Sequence, residues 1–546
     1  MTHPNPSTAL ARVLVDQLAA EGVRLMVLCP GSRSGALAIA ANEHPEIETR
    51  VVIDERSGAF HALGVARATS RPAVVVSTSG TAAANFFPAI VEADLSCVPL
   101  IAISADRPAE MQGVGANQTV DQIALYGSKV RTFIGLEAPD RVTDRNVEWR
   151  GALRKLVTTA SGSRPGPVHL NVRFREPTVP VTDDGRTAGD EYPYETPRIG
   201  EVEIATGPDD EPDLPELPAG RGLVIAGDGD YDREGLRRTS DELGWPILAT
   251  SLSGMRGEGV VTTYHHLLAA AIPEPLRPRV VVTVGAIGPS ARLETLVAAA
   301  EWRVRLDRCG RVFDPGRNAT HVLRADVVDV LAGVAGEVDP DWAPAWSGAD
   351  ESRCRRNDEV IDAADAMTGA GVAATLNRVD WNALVVASSL PIREVDAHLR
   401  RAGEVFSNRG ASGIDGFVST ALGVASVRTR TLALTGDLSL LHDSNGFLHD
   451  GAIDATVLLV DNRGGGLFDS LPQARHAPDY ERLFVTDPRR SYRALAEFHH
   501  IAYHEAADRG SLEHLAGESL GRSGVDLIRV EVDRTRDLEM RAQLDS

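Results

Sequence analysis

The chain repeats one pattern several times: a short, continuous apolar segment, then a glycine-rich or polar turn, then an alanine-rich segment of helical character. Continuous apolar strands are typical of sheets that helices cover on both faces, and strands that alternate with helices pair in parallel. The pattern therefore predicts an α/β fold with parallel sheets. Because such sheets bind ligands beyond the carboxyl ends of their strands, we expect a functional site in the turns there.

The pattern occurs in three successive regions of the 546-residue chain. We predict α/β domains at residues 1–180, 221–340 and 359–546. A proline-rich, acidic linker is predicted at 181–220, and a second linker at 341–358. The predicted core strands are 24–29, 50–53, 73–77 and 99–104 in the first domain, 223–226, 246–249, 280–284 and 303–307 in the second, and 383–388, 431–435, 456–461 and 527–532 in the third. Helices are predicted in the first domain at 36–43, 57–68 and 81–93.

Composition narrows the classes of function. The formal net charge of −21 argues against nucleic acid or an anionic membrane surface as the main partner. The sequence contains neither an apolar run of transmembrane length nor a basic, then apolar, leader at its start. Its four cysteines are scattered without a CxxC pair, which argues against a disulfide framework or a zinc site. We therefore expect a cytoplasmic protein.

Two strand ends in the third domain predict a metal-bridged diphosphate site. One predicted strand runs into GDLS at 436–439, and the next runs into DNRGGG at 461–466. A β-α-β unit brings Asp437 and Asn462 side by side, and their oxygen atoms, with backbone carbonyls, suit magnesium. Glycines and a helix N-terminus suit the approach of a diphosphate. The alternative is that both residues are ordinary turn residues at strand ends.

A turn in the second domain provides a comparison. Gly227-Asp228-Gly229 also follows a predicted strand, but no asparagine follows at the corresponding distance. As a dinucleotide-binding fingerprint it fails as well, because Asp232 occupies the position of the last glycine. We interpret this segment as a turn.

The strand ends in the third domain resemble the diphosphate motif of thiamine diphosphate enzymes, which is Gly-Asp-Gly followed one β-α-β unit later by Asn. Leu438 replaces the third glycine of that motif. Enzymes of this superfamily also place a glutamate just after a strand of the pyrimidine-binding domain, where it hydrogen-bonds the aminopyrimidine ring of the cofactor. Glu55 fits that position. The alternative is that Asp54 or Glu55 caps the following helix and complements its dipole.

The resemblance becomes more specific across the first and third domains. The chain resembles the 2-succinyl-5-enolpyruvyl-6-hydroxy-3-cyclohexene-1-carboxylate synthase family, thiamine diphosphate enzymes of menaquinone biosynthesis. The middle domain resembles the family only in outline. The matching segments, in chain order, are CPGSR at 29–33, DER at 54–56, TSGTA at 78–82, ADRP at 105–108, GANQ at 115–118, Ser389 with Arg393, SNRGASGIDG at 407–416, and GDLS at 436–439 with His442-Asp443.

The resemblance implies the three-domain architecture of thiamine diphosphate enzymes. Residues 1–180 would form the pyrimidine-binding, cofactor-activating domain, 221–340 the central domain, and 359–546 the domain that binds diphosphate and magnesium. It also implies a homo-oligomer, either a homodimer or a homotetramer. The active sites would lie at the dimer interface, where Glu55 of one subunit meets Asp437 of the other.

The resemblance assigns the cofactor residues. Glu55 would activate thiamine diphosphate, and Asp437, Asn462 and the carbonyl of Gly464 would bind magnesium, with manganese as the alternative cation. Further cofactor contacts would come from Thr81, Gly436, Leu438, Ser439 and Gly465, and an apolar surface against the cofactor from Ile414, Leu467 and Phe468. For the last three residues, ordinary core packing is the competing interpretation.

The family reaction requires recognition of several carboxylates. The family is a transferase that decarboxylates 2-oxoglutarate and adds the succinyl unit to isochorismate by conjugate addition. The implied carboxylate-binding side chains are the turn arginines Arg33, Arg107, Arg393 and Arg409, whose planar forks suit carboxylates. Neutral hydrogen bonds would come from Ser32, Asn117, Gln118 and Ser389. The family often has a lysine in the middle domain that reaches isochorismate, whereas 288–292 here offers only Arg292.

Other functions remain open at this point. Another thiamine diphosphate carboligase or 2-oxoacid decarboxylase, such as an acetolactate-synthase-like enzyme, would share the cofactor residues but would not need four arginines. A non-catalytic homologue that binds the cofactor is a second alternative, against which the intact Glu55 argues. A nicotinamide oxidoreductase that uses Gly227–Gly229 is a third.

Overall fold

The protein contains three successive parallel sheets with interleaved helices, which confirms the predicted α/β class. The computed structural model describes residues 5–139, 145–180, 214–288 and 290–546. Over these ranges, no helix is long and apolar enough to cross a membrane. The described residues fall into two compact units. Unit 1 lies within Met1–Ala205, Asn408–Arg428 and His442–Ile453, and unit 2 lies within Thr206–Ser407, Thr429–Leu441 and Asp454–Ser546.

The first sheet has six parallel strands in the order β2-β1-β3-β4-β6-β5. Apolar residues of α1, α2 and α6 cover one face, and those of α3 and α5 cover the other. Its elements are α1 Pro6–Ala20, β1 Leu25–Leu28, α2 Gly35–Glu43, β2 Glu48–Val51, α3 Glu55–Thr69, β3 Ala73–Ser77, α4 Thr81–Ala84, α5 Phe87–Ser96, β4 Leu100–Asp106, β5 Phe133–Glu137, α6 Asn146–Ser161 and β6 Val168–Arg173.

Several elements of this region differ from the prediction: α1, α6, β5 and β6 were not predicted, and one predicted helix is divided. The helix predicted at 81–93 is divided into α4 and α5, because Pro88 lies in the first turn of α5 and cannot donate a backbone hydrogen bond to a preceding turn. Strand β6 was not predicted, since His169 and Asn171 interrupt its apolar run. Both side chains are buried there and hydrogen-bond Ser104 on β4, at 2.8 Å and 2.7 Å.

The second sheet has five parallel strands in the order β12-β11-β10-β8-β9, and β13 pairs with β7 beside it. Of the linker predicted at 181–220, residues 181–213 lie outside the described ranges. The elements of this region are β7 Leu217–Pro218, β8 Gly222–Ala226, α7 Arg233–Leu243, β9 Ile247–Ala249, α8 Tyr264–Leu267, β10 Val280–Val284, α9 Ala291–Ala299, β11 Trp302–Leu306, β12 His321–Leu323, α10 Val327–Ala332, β13 Val334–Ala335 and α11 Trp342–Asp362.

The segment predicted as a second linker, 341–358, is not a loop but most of α11. Trp342 and Trp346, four residues apart on one helix face, are 2% and 0% exposed and pack into the apolar core below the second sheet. The glycine, proline and aspartate residues around these tryptophans conceal the helical period in the sequence.

The third sheet has six parallel strands in the order β15-β14-β16-β17-β19-β18, which repeats the strand order of the first sheet. Apolar residues of β14, β16, β17 and β19 form its core with those of the flanking helices. Its elements are α12 Gly369–Thr375, β14 Ala383–Val386, α13 Leu390–His398, β15 Glu404–Phe406, α14 Phe417–Ala425, β16 Thr431–Gly436, α15 Asp437–His442, β17 Ala455–Asp461, α16 Gln473–His476, α17 Tyr492–Phe498, β18 Ala502–Ala506, α18 Arg509–Ser519, β19 Val525–Glu531 and α19 Arg534–Asp545.

Helices α3 and α14 of unit 1 cross at two glycines. A Cβ atom on Gly64 would lie 2.2 Å from the carbonyl oxygen of Thr420, and one on Gly423 would lie 2.2 Å from that of His61. The two backbones can approach this closely because neither glycine has a side chain. Unit 1 therefore includes a helix from the predicted third domain, and the domain boundaries given above stay a prediction.

Two buried histidines of unit 1 predict a loss of stability in acid. Burial lowers the pKa of His61 and of His169 to about 3. Between the unfolded pKa near 6.5 and the folded value, only the unfolded chain binds these protons, so stability falls as the pH falls through this range. Each histidine is expected to contribute about 1.4 kcal/mol per pH unit to the slope.

The measurement is the free energy of unfolding in urea, in steps from about pH 6.5 to about pH 4. His169→Gln should reduce the slope against pH by about one proton. His476→Gln, at an exposed histidine, is the matched control and should leave the slope unchanged. An equal slope in His169→Gln and the unaltered protein would contradict the prediction.

Candidate functional site

The first and third sheets place the predicted site residues after corresponding strands. Each of these residues lies at a carboxyl end, where parallel sheets bind ligands. In the first sheet, Arg33 follows β1, Glu55 follows β2, Thr81 follows β3 and Arg107 follows β4; in the third, Ser389 follows β14, Arg409 follows β15, Asp437 follows β16 and Asn462 follows β17.

The turn after β16 holds a buried carboxylate against the turn after β17. The two Asp437 oxygens each accept one backbone N–H, from Leu438 at 2.7 Å and from Gly464 at 2.6 Å. Burial raises the pKa of Asp437 to about 7, although both hydrogen bonds oppose the rise. The Asn462 amide lies over Gly466, where an added Cβ would be 2.5 Å from its nitrogen. The structure thus brings Asp437, Asn462 and the 464–466 turn together in unit 2.

The glycines of these turns have different roles. Gly464 has a φ of +123°, and a Cβ there would lie 2.1 Å from the Val485 carbonyl oxygen, so close backbone packing requires this glycine. Gly465 donates its N–H to the same carbonyl at 2.7 Å. Gly436 differs, because a Cβ there would meet nothing within 4 Å. The motif predicts that all three glycines permit the approach of a diphosphate, whereas Gly436 alone among them faces open space.

Glu55 is the first residue of α3 and is half-buried. Asp54 caps this helix, since its carboxylate accepts the N–H groups of Arg56 at 2.9 Å and Ser57 at 3.3 Å. The capping alternative therefore applies to Asp54. Among the described residues, none forms a hydrogen bond or ion pair with the Glu55 carboxylate. Burial, with the negative charges of Glu55 and Asp54, raises the pKa of the Cys29 thiol at the end of β1.

A second buried carboxylate, Asp443, supports the start of α3 within unit 1. It accepts the hydroxyl of Ser57 at 3.3 Å, and the N–H and hydroxyl of Ser419, each at 2.8 Å. Asn445 donates to the capping Asp54 carboxylate at 2.9 Å. The motif that contains Asp443 predicts no function for this residue. Its hydrogen bonds fix the turn that contains Glu55.

Two predicted arginines lie together in unit 1. Arg107 is buried and donates to the Ser79 hydroxyl, and to the carbonyl of Gln118 at 2.8 Å. Arg33 is also buried, and it pairs with the Glu176 carboxylate at 2.9 Å. Burial and the neighbouring charge of Arg33 lower the pKa of Arg107. The two guanidinium groups are therefore adjacent and buried, with Glu176 and Asp106 as their acidic neighbours.

The loop before β5 completes this part of unit 1. Gln118 has a φ of +54° and donates to the Ser79 carbonyl at 2.9 Å. Gly80 donates to the Gln122 side chain at 2.9 Å, and Gln122 donates to Asn171 at 2.9 Å. Gln122 and Asn171 are buried residues that the sequence analysis missed, because both lie outside the quoted motifs. Four predicted residues of this region are exposed: Ser32, Thr81, Asn117 and Gln118.

Ser389 occupies a strained turn between β14 and α13 of unit 2. Its backbone angles are φ +76° and ψ −126°, a combination that costs a residue other than glycine about 1–3 kcal/mol and is found mainly at functional sites. Arg393, one turn into the helix, donates to the Ser389 carbonyl at 2.6 Å. Burial, with the charge of Arg541, lowers the pKa of Arg393. These two predicted residues therefore lie together.

The apolar residues assigned to the cofactor are partly exposed. Ile414 is 36% exposed in unit 1, and Leu467 and Phe468 are half-buried in unit 2, on the 3₁₀ helix Gly466–Ser470. None of the three is fully buried, so core packing does not account for them. Four other predicted residues have these environments: Arg409, Leu438 and Gly465 are half-buried, and Ser439 is buried.

Two middle-domain features have structural partners of their own. Arg292, considered as a substitute for the family lysine, forms two hydrogen bonds to the Asp545 carboxylate, at 2.9 Å and 2.6 Å. The Gly227–Gly229 turn is tied to the loop after β10, since Asp228 and Ala286 exchange backbone hydrogen bonds at 2.8 Å and 2.9 Å. A Cβ on Gly227 would lie 2.3 Å from the Ala286 carbonyl, so this glycine permits a contact between loops.

The chain is similar along nearly its whole length to proteins of known name. A family model described as "Thiamine pyrophosphate enzyme, N-terminal TPP binding domain" matches residues 8–125. A curated relative from Thermobifida fusca, named 2-succinyl-5-enolpyruvyl-6-hydroxy-3-cyclohexene-1-carboxylate synthase, is 39% identical over 566 residues, which cover 99% of this chain and 98% of the relative. Relatives of the same name from Rubrobacter xylanophilus and Halobacterium salinarum are 37% and 35% identical, over 99% and 98% of this chain and 98% and 97% of theirs.

The two kinds of glycine predict opposite outcomes for the same substitution. Gly464→Ala should lower the free energy of unfolding of the ligand-free protein by about 2 kcal/mol or more, because its φ is positive and Val485 fills the space. Gly436→Ala is the matched control and should leave that stability nearly unchanged. Thermal unfolding monitored by circular dichroism measures both. Equal melting temperatures for the two variants would show that the 464–466 turn is not packed as described.

Proposed function

Because this chain belongs to the 2-succinyl-5-enolpyruvyl-6-hydroxy-3-cyclohexene-1-carboxylate synthase family, we propose roles for its own residues in that reaction. The protein is a thiamine diphosphate-dependent transferase of menaquinone biosynthesis, which decarboxylates 2-oxoglutarate and joins the succinyl unit to isochorismate. The full-length similarity to relatives of this one name favours this function over an acetolactate-synthase-like carboligase. The observation that most supports the residue roles is the contact between Asp437 and the turn after Asn462.

The residues at this contact fit a divalent cation that bridges to a diphosphate. Asp437, the Asn462 amide and the Gly464 carbonyl offer oxygen atoms, which are the ligands that magnesium prefers, and manganese accepts the same set. Each Asp437 oxygen and the Gly464 carbonyl accept one N–H and keep a second lone pair. The open space beside Gly436 supports diphosphate binding at this turn. We propose that Leu438, Ser439 and Gly465 line the same turn.

The bound cofactor supplies an electron sink for decarboxylation and a carbon nucleophile for the addition. The proposed part of Glu55 is to hold a proton in a hydrogen bond to the aminopyrimidine ring. Its place after the Asp54 cap supports this, because its carboxylate is half-buried and engaged by no described residue. Thr81 and the apolar side chains of Ile414, Leu467 and Phe468 would contact the cofactor and exclude water from it.

The arginines neutralise and orient the substrate carboxylates. Arg33 and Arg107 are adjacent buried guanidinium groups, of which Arg33 also pairs with Glu176, and Arg393 provides another beside the strained turn at Ser389. Charge-assisted hydrogen bonds from planar guanidinium groups fix the orientation of a carboxylate as well as its position. Arg409 would add a fourth such group, and the side chains of Ser32, Asn117, Gln118 and Ser389 would add neutral hydrogen bonds.

We further propose that the working enzyme is a homodimer, or a homotetramer built from such dimers, with active sites at the dimer interface. Each site would combine Glu55 of one subunit with Asp437 of its partner. The partners are small-molecule substrates, and no nucleic acid or membrane is required.

The test of the reaction is an incubation with thiamine diphosphate, magnesium, 2-oxoglutarate and isochorismate, followed by mass spectrometry, with each component omitted in turn. The expected product has the mass of isochorismate plus 2-oxoglutarate minus carbon dioxide, and it should be absent without cofactor. Glu55→Gln should lower the rate by at least about a hundredfold while it retains magnesium-dependent cofactor binding in calorimetry. Carbon dioxide without the adduct would contradict the acceptor, and unaltered activity of Glu55→Gln would contradict the role of this residue.

Mixed dimers test the shared active site. Glu55→Gln and Asp437→Asn should each be inactive alone, but their heterodimer contains one site with both native residues. Random reassociation of equal amounts should therefore restore about one quarter of the native activity. The measurement is turnover after the two variants are mixed and their subunits exchange, and each variant mixed with itself is the control. No recovery after demonstrated exchange would indicate that each site is built from a single chain.

A further inference from the structure

Glu92 is a buried carboxylate outside every motif used above. It lies on α5 of unit 1 and is 2% exposed. Its two oxygens accept the backbone N–H groups of two consecutive residues, Gly410 at 2.9 Å and Ala411 at 2.6 Å. Both belong to the loop 408–416 of the same unit and directly follow Arg409. We infer that Glu92 is a positioning residue, which fixes this loop so that Arg409 is directed at a substrate carboxylate.

The carboxylate of Glu92 is itself held in one orientation. Arg67 pairs with it at 3.0 Å, and the Ser96 hydroxyl donates to it at 2.7 Å. Both Arg67 and Glu92 have side chains that are almost wholly buried. Charge-assisted hydrogen bonds are about twice as strong as neutral ones. The pair of loop N–H groups is therefore bound to a fixed point on α5.

The loop packs directly on the helix at this point. A Cβ on Gly410 would lie 2.6 Å from the Ser96 hydroxyl and 2.8 Å from the Glu92 carbonyl oxygen, so a side chain there has no room. Ser412, two residues later, has a φ of +61°. This close packing and the left-handed residue restrict the conformation of the loop backbone over α5. The hydrogen bonds from the loop to Glu92 stabilise that conformation. The backbone of Arg409 is adjacent to both bonded amides, so its side chain starts from a fixed position.

This inference rests on the proposed function, in which Arg409 binds a substrate carboxylate. A side chain that is misplaced by about an ångström can lose a large part of its effect on a reaction, even when it is still present. Glu92 touches neither substrate nor cofactor in this account, and it acts through Arg409 alone.

The main test uses Glu92→Gln, in which one acceptor oxygen is replaced by an NH₂ group that faces a loop N–H. We expect the KM for one of the two anionic substrates to rise about tenfold, with a smaller change in kcat. Glu148→Gln is the matched control, because it makes the same substitution at an exposed glutamate on α6 of the same unit, and it should stay within about twofold of the native enzyme. If Glu92→Gln does not fold, Glu92→Asp keeps the charge and shortens the reach by one methylene, and the same rise is expected.

A double-mutant cycle separates positioning from a general structural effect. If Glu92 acts through Arg409, Glu92→Gln should have no additional effect on kcat/KM when Arg409→Ala is already present. Effects that multiply in the double variant would overturn the inference. A normal KM in Glu92→Gln beside a raised KM in Arg409→Ala would also overturn it, and would leave the proposed function intact. An unaltered KM in Arg409→Ala would overturn both.

Hydrogen exchange of the cofactor-free protein gives a readout that does not depend on activity. The loop peptide containing Gly410 and Ala411 should exchange faster in Glu92→Gln than in the native protein, because both amides lose a charged acceptor. Peptides from α1 should exchange at equal rates in the two proteins. Unchanged exchange in the loop would overturn the proposed positioning whatever the kinetics show.

Discussion

The parallel pairing of β16 with β17 is the interaction on which the proposed cofactor site depends. Its register sets Gly436 opposite Val460, so that β16 and β17 end within one residue of each other, directly before Asp437 and Asn462. The Asp437 carboxylate then accepts the backbone N–H of Gly464 at 2.6 Å. The backbone hydrogen bonds between β16 and β17 thereby bring Asp437 close to the turn after β17. The turns themselves contribute oxygen atoms and open space.

Buried carboxylates that accept backbone N–H groups fix several of the turns and helix starts described above. Asp437 binds the turn after β17, Asp443 binds the start of α14 and the turn before α3, and Glu92 binds the loop after Arg409. Burial raises the pKa of Asp437 and of Asp443, since charge is less stable away from water, and the hydrogen bonds offset part of that cost. Because these hydrogen bonds are charge-assisted, each stabilises its loop more than a neutral hydrogen bond would.

The sequence predicts the elements whose signal is local and fails where the signal comes from tertiary contacts. Strands Ala73–Ser77 and Val280–Val284 have the predicted bounds because their residues are buried on both faces and continuously apolar. Strand β6 is not predictable from its own residues, because the polar His169 interrupts its apolar run. Burial of this side chain is possible only through its hydrogen bond to Ser104 on another strand. The motifs identify Glu55 and Asp437, whose chemistry is visible in short segments. They do not identify Gln122 or Glu92, because such residues are defined by loop amides that lie far away in the sequence.

The backbone at Ser389 has a consequence for any attempt to improve this protein in the laboratory. Glycine adopts its φ of +76° and ψ of −126° without strain, whereas serine is strained in this conformation. A selection for thermal robustness alone would therefore enrich glycine at this position and discard the hydroxyl. Under the proposed role of Ser389 in substrate binding, heat resistance and turnover would then diverge in the same lineage, so a screen for durable variants should also require catalysis in every round.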